Sequence, residues 1–321
     1  MKAIYLESFG GPEVLRYGER PTPRPRSGQV LIEVYAAGVN PRDWMLRQGT
    51  YVGRPLVGRP PIIPGSDVSG VVVDVGTQVT GFSIGQEVFA MQSQLGRMGG
   101  YAEYMAVDAA CVAPKPKEIS HVDAAALPVA GLTAWQSLFE LSTVATGSRV
   151  LVVGGSGGVG HYAVQLAHHA GAHVTAVCST GNVEFVRELG ANEVIDYTKE
   201  RFNDFVRGQD LVFDTLGRES LSSCGAVLDP DGCYITTVPN AKTLLSWALT
   251  SLRAKVLGGQ RASVITVRSR GQELSSLAEL MTQGHIRSVV ENVYPLAEAA
   301  EAHRASRTFH TRGKLVLRVR D

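Results

Sequence analysis

The sequence predicts an α/β protein: a doubly wound parallel sheet joined to a mainly β, barrel-like domain. Three observations predict it. Residues 1–124 carry short β-branched runs punctuated by Gly and Pro, the texture of an irregular antiparallel barrel. From about Ser120 the chain alternates apolar runs of strand length with stretches of helical period, the pattern of parallel strands and crossover helices. After Arg268 the first texture returns and ends in the apolar run Lys314–Val319. The simplest organisation is an inserted unit, 125–268, within a discontinuous domain made of 1–124 and 269–321.

In the first part, Val30–Val34, Val68–Val75 and Glu87–Ala90 read as strands, and Pro21, Pro23 and Pro25 stiffen a connection. Ala124–Leu127 and Thr133–Leu141 read as helices. Arg149–Val153 is an almost unbroken apolar run, as expected of a parallel strand covered on both faces. Val159, Ala163, Leu166, Ala167 and Ala170 then form one helical stripe. Strands follow at His173–Cys178, Glu193–Ile195, Leu211–Asp214 and Cys233–Val238, with a short helix at Val183–Leu189. Leu274–Met281 is an amphipathic helix.

Bulk properties exclude several functions. Hydrophobic residues make up 44% and charged residues 19% of 321, a globular balance. Net charge is +1 with no basic stripe, which argues against nucleic-acid binding. Arg20, Arg24 and Arg26 are scattered among prolines, and Arg304, Arg307, Arg312 and Lys314 are the other basic group. Cys111, Cys178, Cys224 and Cys233 have neither CxxC pairing nor metal spacing and read as free thiols in a reducing compartment. The opening MKAIYLESFGG has no charged lead followed by a long apolar block, so no secretion signal is expected. The nearest candidate for a membrane span, Thr243–Leu252, is too short to cross a bilayer. A cytoplasmic protein with no membrane partner is expected.

The strongest local signal is Gly154-Gly155-Ser156-Gly157-Gly158-Val159-Gly160, between a buried strand and an amphipathic helix. Glycines at 155, 157 and 160 match G-x-G-x-x-G. A tight strand-to-helix turn needs glycine's φ freedom, and a diphosphate needs close approach to the amides of a helix N-terminus. Gly155, Ser156, Gly157, Gly158, Val159 and Gly160 are therefore candidate cofactor-binding residues. The second strand ends in Cys178-Ser179-Thr180-Gly181-Asn182, with no acid before Glu184. A carboxylate there would hold the ribose 2′-hydroxyl of NAD and repel the 2′-phosphate of NADP. Hydroxyls and an amide can donate to a phosphate, so Ser179 and Asn182 point to NADPH. The same two residues could also cap the following helix.

With that turn and its flanks in view, the chain resembles the medium-chain dehydrogenase/reductase superfamily, in its zinc-independent quinone oxidoreductase (zeta-crystallin-like) branch. The resemblance runs over nearly the whole chain. It rests on Ala37–Asp43 (AGVNPRD), Gly49-Thr50-Tyr51, Pro64–Gly70 (PGSDVSG), Gly99–Tyr104 (GGYAEY), Leu127–Ala134 (LPVAGLTA) and the glycine turn. Leu189-Gly190-Ala191, Ile195-Asp196-Tyr197 and Gly313–Leu317 (GKLVL) complete it. The chain is also similar to 2-alkenal and enone reductases. The resemblance implies a GroES-like catalytic domain, a Rossmann domain with a cleft between them, and a homodimer formed through the edge of the parallel sheet. Ala262–Val267 is the expected edge strand.

Zinc-dependent relatives carry Cys where this chain has Val39-Asn40, Gly-His-Glu where it has Gly65-Ser66-Asp67, and a four-cysteine lobe that is missing here. No metal is therefore expected. His161, His168 and His169 follow the glycine turn and read as surface residues. Without a Lewis acid, acceptors that take hydride readily, quinones and conjugated enones, are favoured over simple alcohols.

The resemblance makes Asn40 and Tyr51 the catalytic candidates. Asn40 can donate an N–H to a carbonyl oxygen as charge develops, or form an Asx turn before Pro41. Tyr51 is either a pocket wall or a donating hydroxyl. Thr133 resembles a residue near the nicotinamide, or is a cap or core hydroxyl. Tyr197 and Lys199 resemble positions near the adenosine phosphate. Lys314, with Arg312, either reaches the cofactor or lies on the surface. Many relatives carry Arg or Lys where this chain has Gly181. The leading reading is an NADPH-dependent reductase of small quinones or α,β-unsaturated carbonyls. The alternatives are an enoyl-thioester reductase and a non-catalytic, crystallin-like NADPH-binding protein.

Overall fold

The computed structural model describes residues 1–92, 98–238, 244–250 and 258–320. Contacts divide the chain into two compact units, Met1–Leu132 with Arg268–Asp321, and Thr133–Val267. Residues 125–132, expected in the inserted unit, belong to the first. Ala125 and Ala126 pack against Ala36 and Val316, so that helical segment is anchored to the first unit's own strands.

The first unit is built around the eleven-residue strand Gln29–Val39. Along one edge it pairs antiparallel with Asp67–Val75, with register shifts at Leu31/Ile32 and Val34/Ala36. Along the other, its first half pairs with Tyr104–Asp108 and its second half with Lys314–Arg318. Irregular pairing of this kind bends a strand and increases its twist, letting one strand serve several partners. The sheet continues through Glu87–Met91 to Val112–Pro114, and on the far side Val290–Pro295 pairs parallel with Lys314–Arg318. Val30, Ile32, Val34, Val68, Val72 and Val88 fill its core. These alternating β-branched residues are the ones that read as strands in the sequence. The final strand explains the discontinuity: Leu315 pairs with Val39, which places Lys314 opposite Asn40.

Among the described residues the second unit holds six strands, labelled in chain order: β1 Arg149–Val153, β2 His173–Cys178, β3 Glu193–Asp196, β4 Gln209–Asp214, β5 Leu228–Thr236 and β6 Arg261–Val264. All pairings are parallel, and the spatial order is β3-β2-β1-β4-β5-β6. That is the order of a doubly wound dinucleotide-binding sheet, in which the direction of winding reverses between β1 and β4. Val150–Val153 are buried, as a strand covered on both faces requires. Helix α1, Gly160–His169, follows β1 and buries every residue from Gly160 to Ala167. The expected edge strand is shorter than 262–267 and lies at one end of the sheet.

Of the apolar stretch 243–252, residues 244–250 are described and are helical, and the rest lie outside the described residues. Among the described residues no helix is long and apolar enough to cross a membrane.

Candidate functional site

The glycine turn lies at the carboxyl end of β1, beside the strand at which the winding reverses. Its left-handed residue is Gly154 (φ +83), one position ahead of the three motif glycines. The amide of Gly157 donates to the Gly154 carbonyl (3.0 Å) and closes the turn, and His161 N–H donates to Gly157 O (3.0 Å) to start the helix. A Cβ on Gly160 would fall 2.0 Å from Gly154 O, so that glycine lets the helix sit directly on the turn. A Cβ on Gly155 would meet the Ala176 methyl at 3.0 Å, whereas on Gly157 the nearest atom would be 3.4 Å away. Gly157 is thus glycine with no packing demand inside the protein, as a backbone approached by a ligand should be.

His161 is not a surface residue. It is fully buried, its ring lies 3.9 Å from that of Tyr162, and its Nδ1 is 3.0 Å from Gly157 O. It is covered because α1 is buried on every side over its first two turns, residues 160–167. His168 and His169 are exposed.

At the end of β2, neither Ser179 nor Asn182 uses its side chain as a cap. Asn182 Nδ2 instead donates to Ser179 Oγ (3.2 Å). The expectation of an acid-free neighbourhood needs correction. β3 pairs parallel with β2 and sets Asp196 opposite Cys178. The Asp196 carboxylate accepts from Thr180 Oγ1 (2.6 Å) and from Thr198 Oγ1 (2.7 Å) and N (3.0 Å), and pairs with Lys199 Nζ (3.2 Å). The hydrogen bonds from Thr180 and Thr198 hold it well below the usual carboxylate range. Its acceptor capacity is taken up by these neighbours, so the sugar-hydroxyl role of an acid at this strand end is not open to it. Lys199 stays largely exposed, as does Tyr197, while Thr133 is buried in the helix Pro128–Gln136. A Cβ on Gly181 would meet nothing within 4 Å.

The second cluster lies wholly in the first unit. Asn40 precedes the helix Pro41–Gln48, and its backbone N–H donates to Asp43 Oδ2 (2.9 Å). Asn40 and Asp43 form a capping box at the start of that helix, so Asn40 keeps a local helix-starting role beside its longer-range contacts. Asn40 Nδ2 donates to Asp67 Oδ2 (2.9 Å), and Lys314 Nζ donates to Asn40 Oδ1 (2.5 Å) and to Val39 O (3.2 Å). Both Asn40 and Lys314 are only 3% exposed, so the surface alternative for Lys314 is excluded. Arg312 is exposed. Asp67 Oδ2 also accepts from Val129 N (3.2 Å), and Asp43 Oδ2 from Tyr101 Oη (3.0 Å). His303 Nε2 lies 3.3 Å from that tyrosine oxygen.

Burial dominates the electrostatics here. It raises Asp67 to about 6 against the opposing pull of Lys314, and lifts Asp43 despite Arg42. Burial likewise lowers Lys314, opposed by Asp67 and Asp43. Arg42 lies over the half-buried Tyr51 ring at 5.4 Å, and none of its guanidinium nitrogens has a hydrogen-bond partner among the described residues. The structure thus joins Asn40 to Lys314 and brings Tyr51 to Arg42. Asp67, Asp43, Tyr101 and His303 were not foreseen as members of this cluster. The signals in the sequence were Asp43, three residues after Asn40 as in a capping box, and Asp67, in the segment that replaces Gly-His-Glu of zinc-dependent relatives.

A glycine turn at the reversal point of a 3-2-1-4-5-6 sheet, in a chain whose other unit is β-rich, defines a dinucleotide-dependent oxidoreductase fold. Residues 26–117 match the family model described as alcohol dehydrogenase GroES-like domain, and residues 189–317 the one described as zinc-binding dehydrogenase. The chain is 34% identical to a chloroplast envelope quinone oxidoreductase homolog of Arabidopsis thaliana, covering 99% of this chain and 98% of that one. It is also 34% identical to an NADPH-dependent alkenal/one oxidoreductase of the same plant, covering 99% of this chain and 79% of that one. The solved quinone oxidoreductase of Coxiella burnetii superposes with a TM-score of 0.91 at 33% identity, covering 100% and 99% of the two chains. The chain belongs to the medium-chain dehydrogenase/reductase superfamily.

Proposed function

We infer that this chain is an NADPH-dependent reductase that delivers hydride to a small quinone or α,β-unsaturated carbonyl. The observation that carries the reading is the glycine turn: Gly154 bends it, Gly160 lets the helix close on it, and Gly157 leaves backbone accessible. The acceptor class follows from the quinone and alkenal/one oxidoreductase relatives. Bound NADPH supplies the hydride. The turn from Gly155 to Gly160 would hold its diphosphate, and Ser179, Asn182, Tyr197 and Lys199 its adenosine phosphate. Thr133 is assigned to the nicotinamide end. Asn40 donates to the acceptor's carbonyl oxygen as negative charge grows on it, with Tyr51 as a second candidate donor.

The reaction is proposed to proceed without zinc. Support comes from the donor set: Ser66 stands where zinc-dependent relatives carry the ligating histidine, and Asn40, in the pair that replaces their cysteine, is bonded both to Asp67 and to the Lys314 ammonium. A cation already buried against Asn40 disfavours a second, divalent one. Four buried free cysteines accord with a reducing compartment such as the cytoplasm, and the edge position of β6 with a homodimer formed through it.

The test is steady-state oxidation of NADPH and of NADH with phenanthrenequinone and with a series of 2-alkenals. Turnover with NADPH preferred is expected. Tight NADPH binding without turnover of any acceptor would favour the accessory, crystallin-like reading. Activity confined to carrier thioesters would favour the enoyl-thioester one.

A further inference from the structure

We propose that Lys314 acts through Asn40: the chain Lys314–Asn40–Asp67 fixes the orientation of the Asn40 amide and strengthens it as a donor to the acceptor's carbonyl oxygen. This rests on the reading of Asn40 as that donor. Lysine can only donate, so Nζ fixes which end of the amide is oxygen; the Asp67 carboxylate fixes the other end as nitrogen. A flipped amide would set NH2 against an ammonium and a carbonyl against a carboxylate. Both flanking groups are buried, so neither contact is diluted by water.

The polarity of the chain matters as much as its geometry. An ammonium on the amide oxygen draws electron density from the nitrogen and makes its N–H bonds stronger donors. Asp67 takes one of the two N–H bonds, and the other has no partner among the described residues. Lys314 is held for this task by the sheet. Leu315 pairs with Val39, which carries the preceding residue to the end of the Asn40 strand, and Val39 O accepts a second bond from Nζ. Lys314 is therefore a positioning residue that touches neither substrate nor reacting atoms in this scheme.

The experiment is a double-variant cycle in the full-length protein: Asn40→Ala, Lys314→Met and both together. It is read as kcat with a series of quinones of rising reduction potential, with NADPH dissociation constants from fluorescence. Asn40→Ala should lower kcat by about 100-fold, as for loss of one oxyanion donor. Lys314→Met should lower kcat at least about tenfold with NADPH affinity unchanged, since it removes only the polarisation of that donor. The loss should shrink as the quinone becomes more easily reduced, because a better electrophile needs less polarisation. In the Asn40→Ala background, Lys314→Met should change kcat less than about twofold. Should Lys314→Met fold poorly because Asp67 is left without a nearby cation, Lys314→Met/Asp67→Asn keeps the cluster neutral and should lose at least as much, since Asp67 orients the other end of the amide. A normal kcat for Asn40→Ala would remove the donor reading and this proposal with it. A slow Asn40→Ala enzyme with additive or absent effects of Lys314→Met would overturn only the role of Lys314. So would a Lys314→Met loss independent of quinone potential.

Discussion

The three motif glycines are interchangeable in a pattern but not in the structure, and alanine substitutions should separate them. On Gly160 a Cβ would lie 2.0 Å from the Gly154 carbonyl oxygen and 2.8 Å from its carbon. Carbon and oxygen approach to about 3.3 Å even in the closest favourable contacts, so something must move by more than an ångström. What must move is backbone, in a turn tied by the Gly157–Gly154 hydrogen bond and by β1 behind it. Overpacking of this kind costs about 1–3 kcal/mol, and the rigid obstacle puts Gly160→Ala at the upper end. On Gly157 the nearest atom would be 3.4 Å away, an ordinary contact, so Gly157→Ala should unfold like the parent. A methyl facing the diphosphate should nevertheless weaken NADPH by about tenfold or more, the effect of losing roughly one charge-assisted hydrogen bond. Chemical denaturation and NADPH fluorescence titration of both variants test this. Stability lost at 160 and binding lost without stability at 157 is the expected pattern. A Gly160→Ala protein as stable as the parent would refute the packing argument, and parental NADPH affinity in Gly157→Ala would refute the diphosphate contact.

Three further outcomes are expected. Gly181→Arg should fold normally, since its Cβ enters open space, and should raise the NADPH over NADH preference in kcat/KM by about tenfold through a cation beside Ser179; an unchanged ratio would place the 2′-phosphate elsewhere. Burial and Arg47 push the His303 imidazole from 6.5 down to about 3, so the unfolded chain takes up this proton first. The stability conferred by the neutral ring is complete above about pH 6.5 and is lost as pH falls toward about 3. His303→Gln should flatten that acid limb in unfolding free energy measured against pH, and superimposable profiles would count against it. Prolonged dialysis against a zinc chelator should leave quinone turnover unchanged, and loss restored by zinc would overturn the metal-free scheme.

What the sequence by itself determined is what local periodicity and backbone sterics control. The apolar run Arg149–Val153 predicts a doubly covered strand, and the glycines after it a tight turn onto a helix. The alternation that follows fixed parallel winding, because each strand had to return over a helix. The tertiary structure decided whatever depends on which chain segments become neighbours. Lys314 and Asn40 are separated by most of the chain and meet only because Leu315 pairs with Val39. Asp196 enters the Ser179 neighbourhood only because β3 lies beside β2. His161 is covered because the fold buries α1 on every side over its first two turns, which the helical period alone does not encode. Glycine and periodicity act within a few residues, whereas the charge, burial and hydrogen bonding of a polar side chain depend on contacts made through the fold.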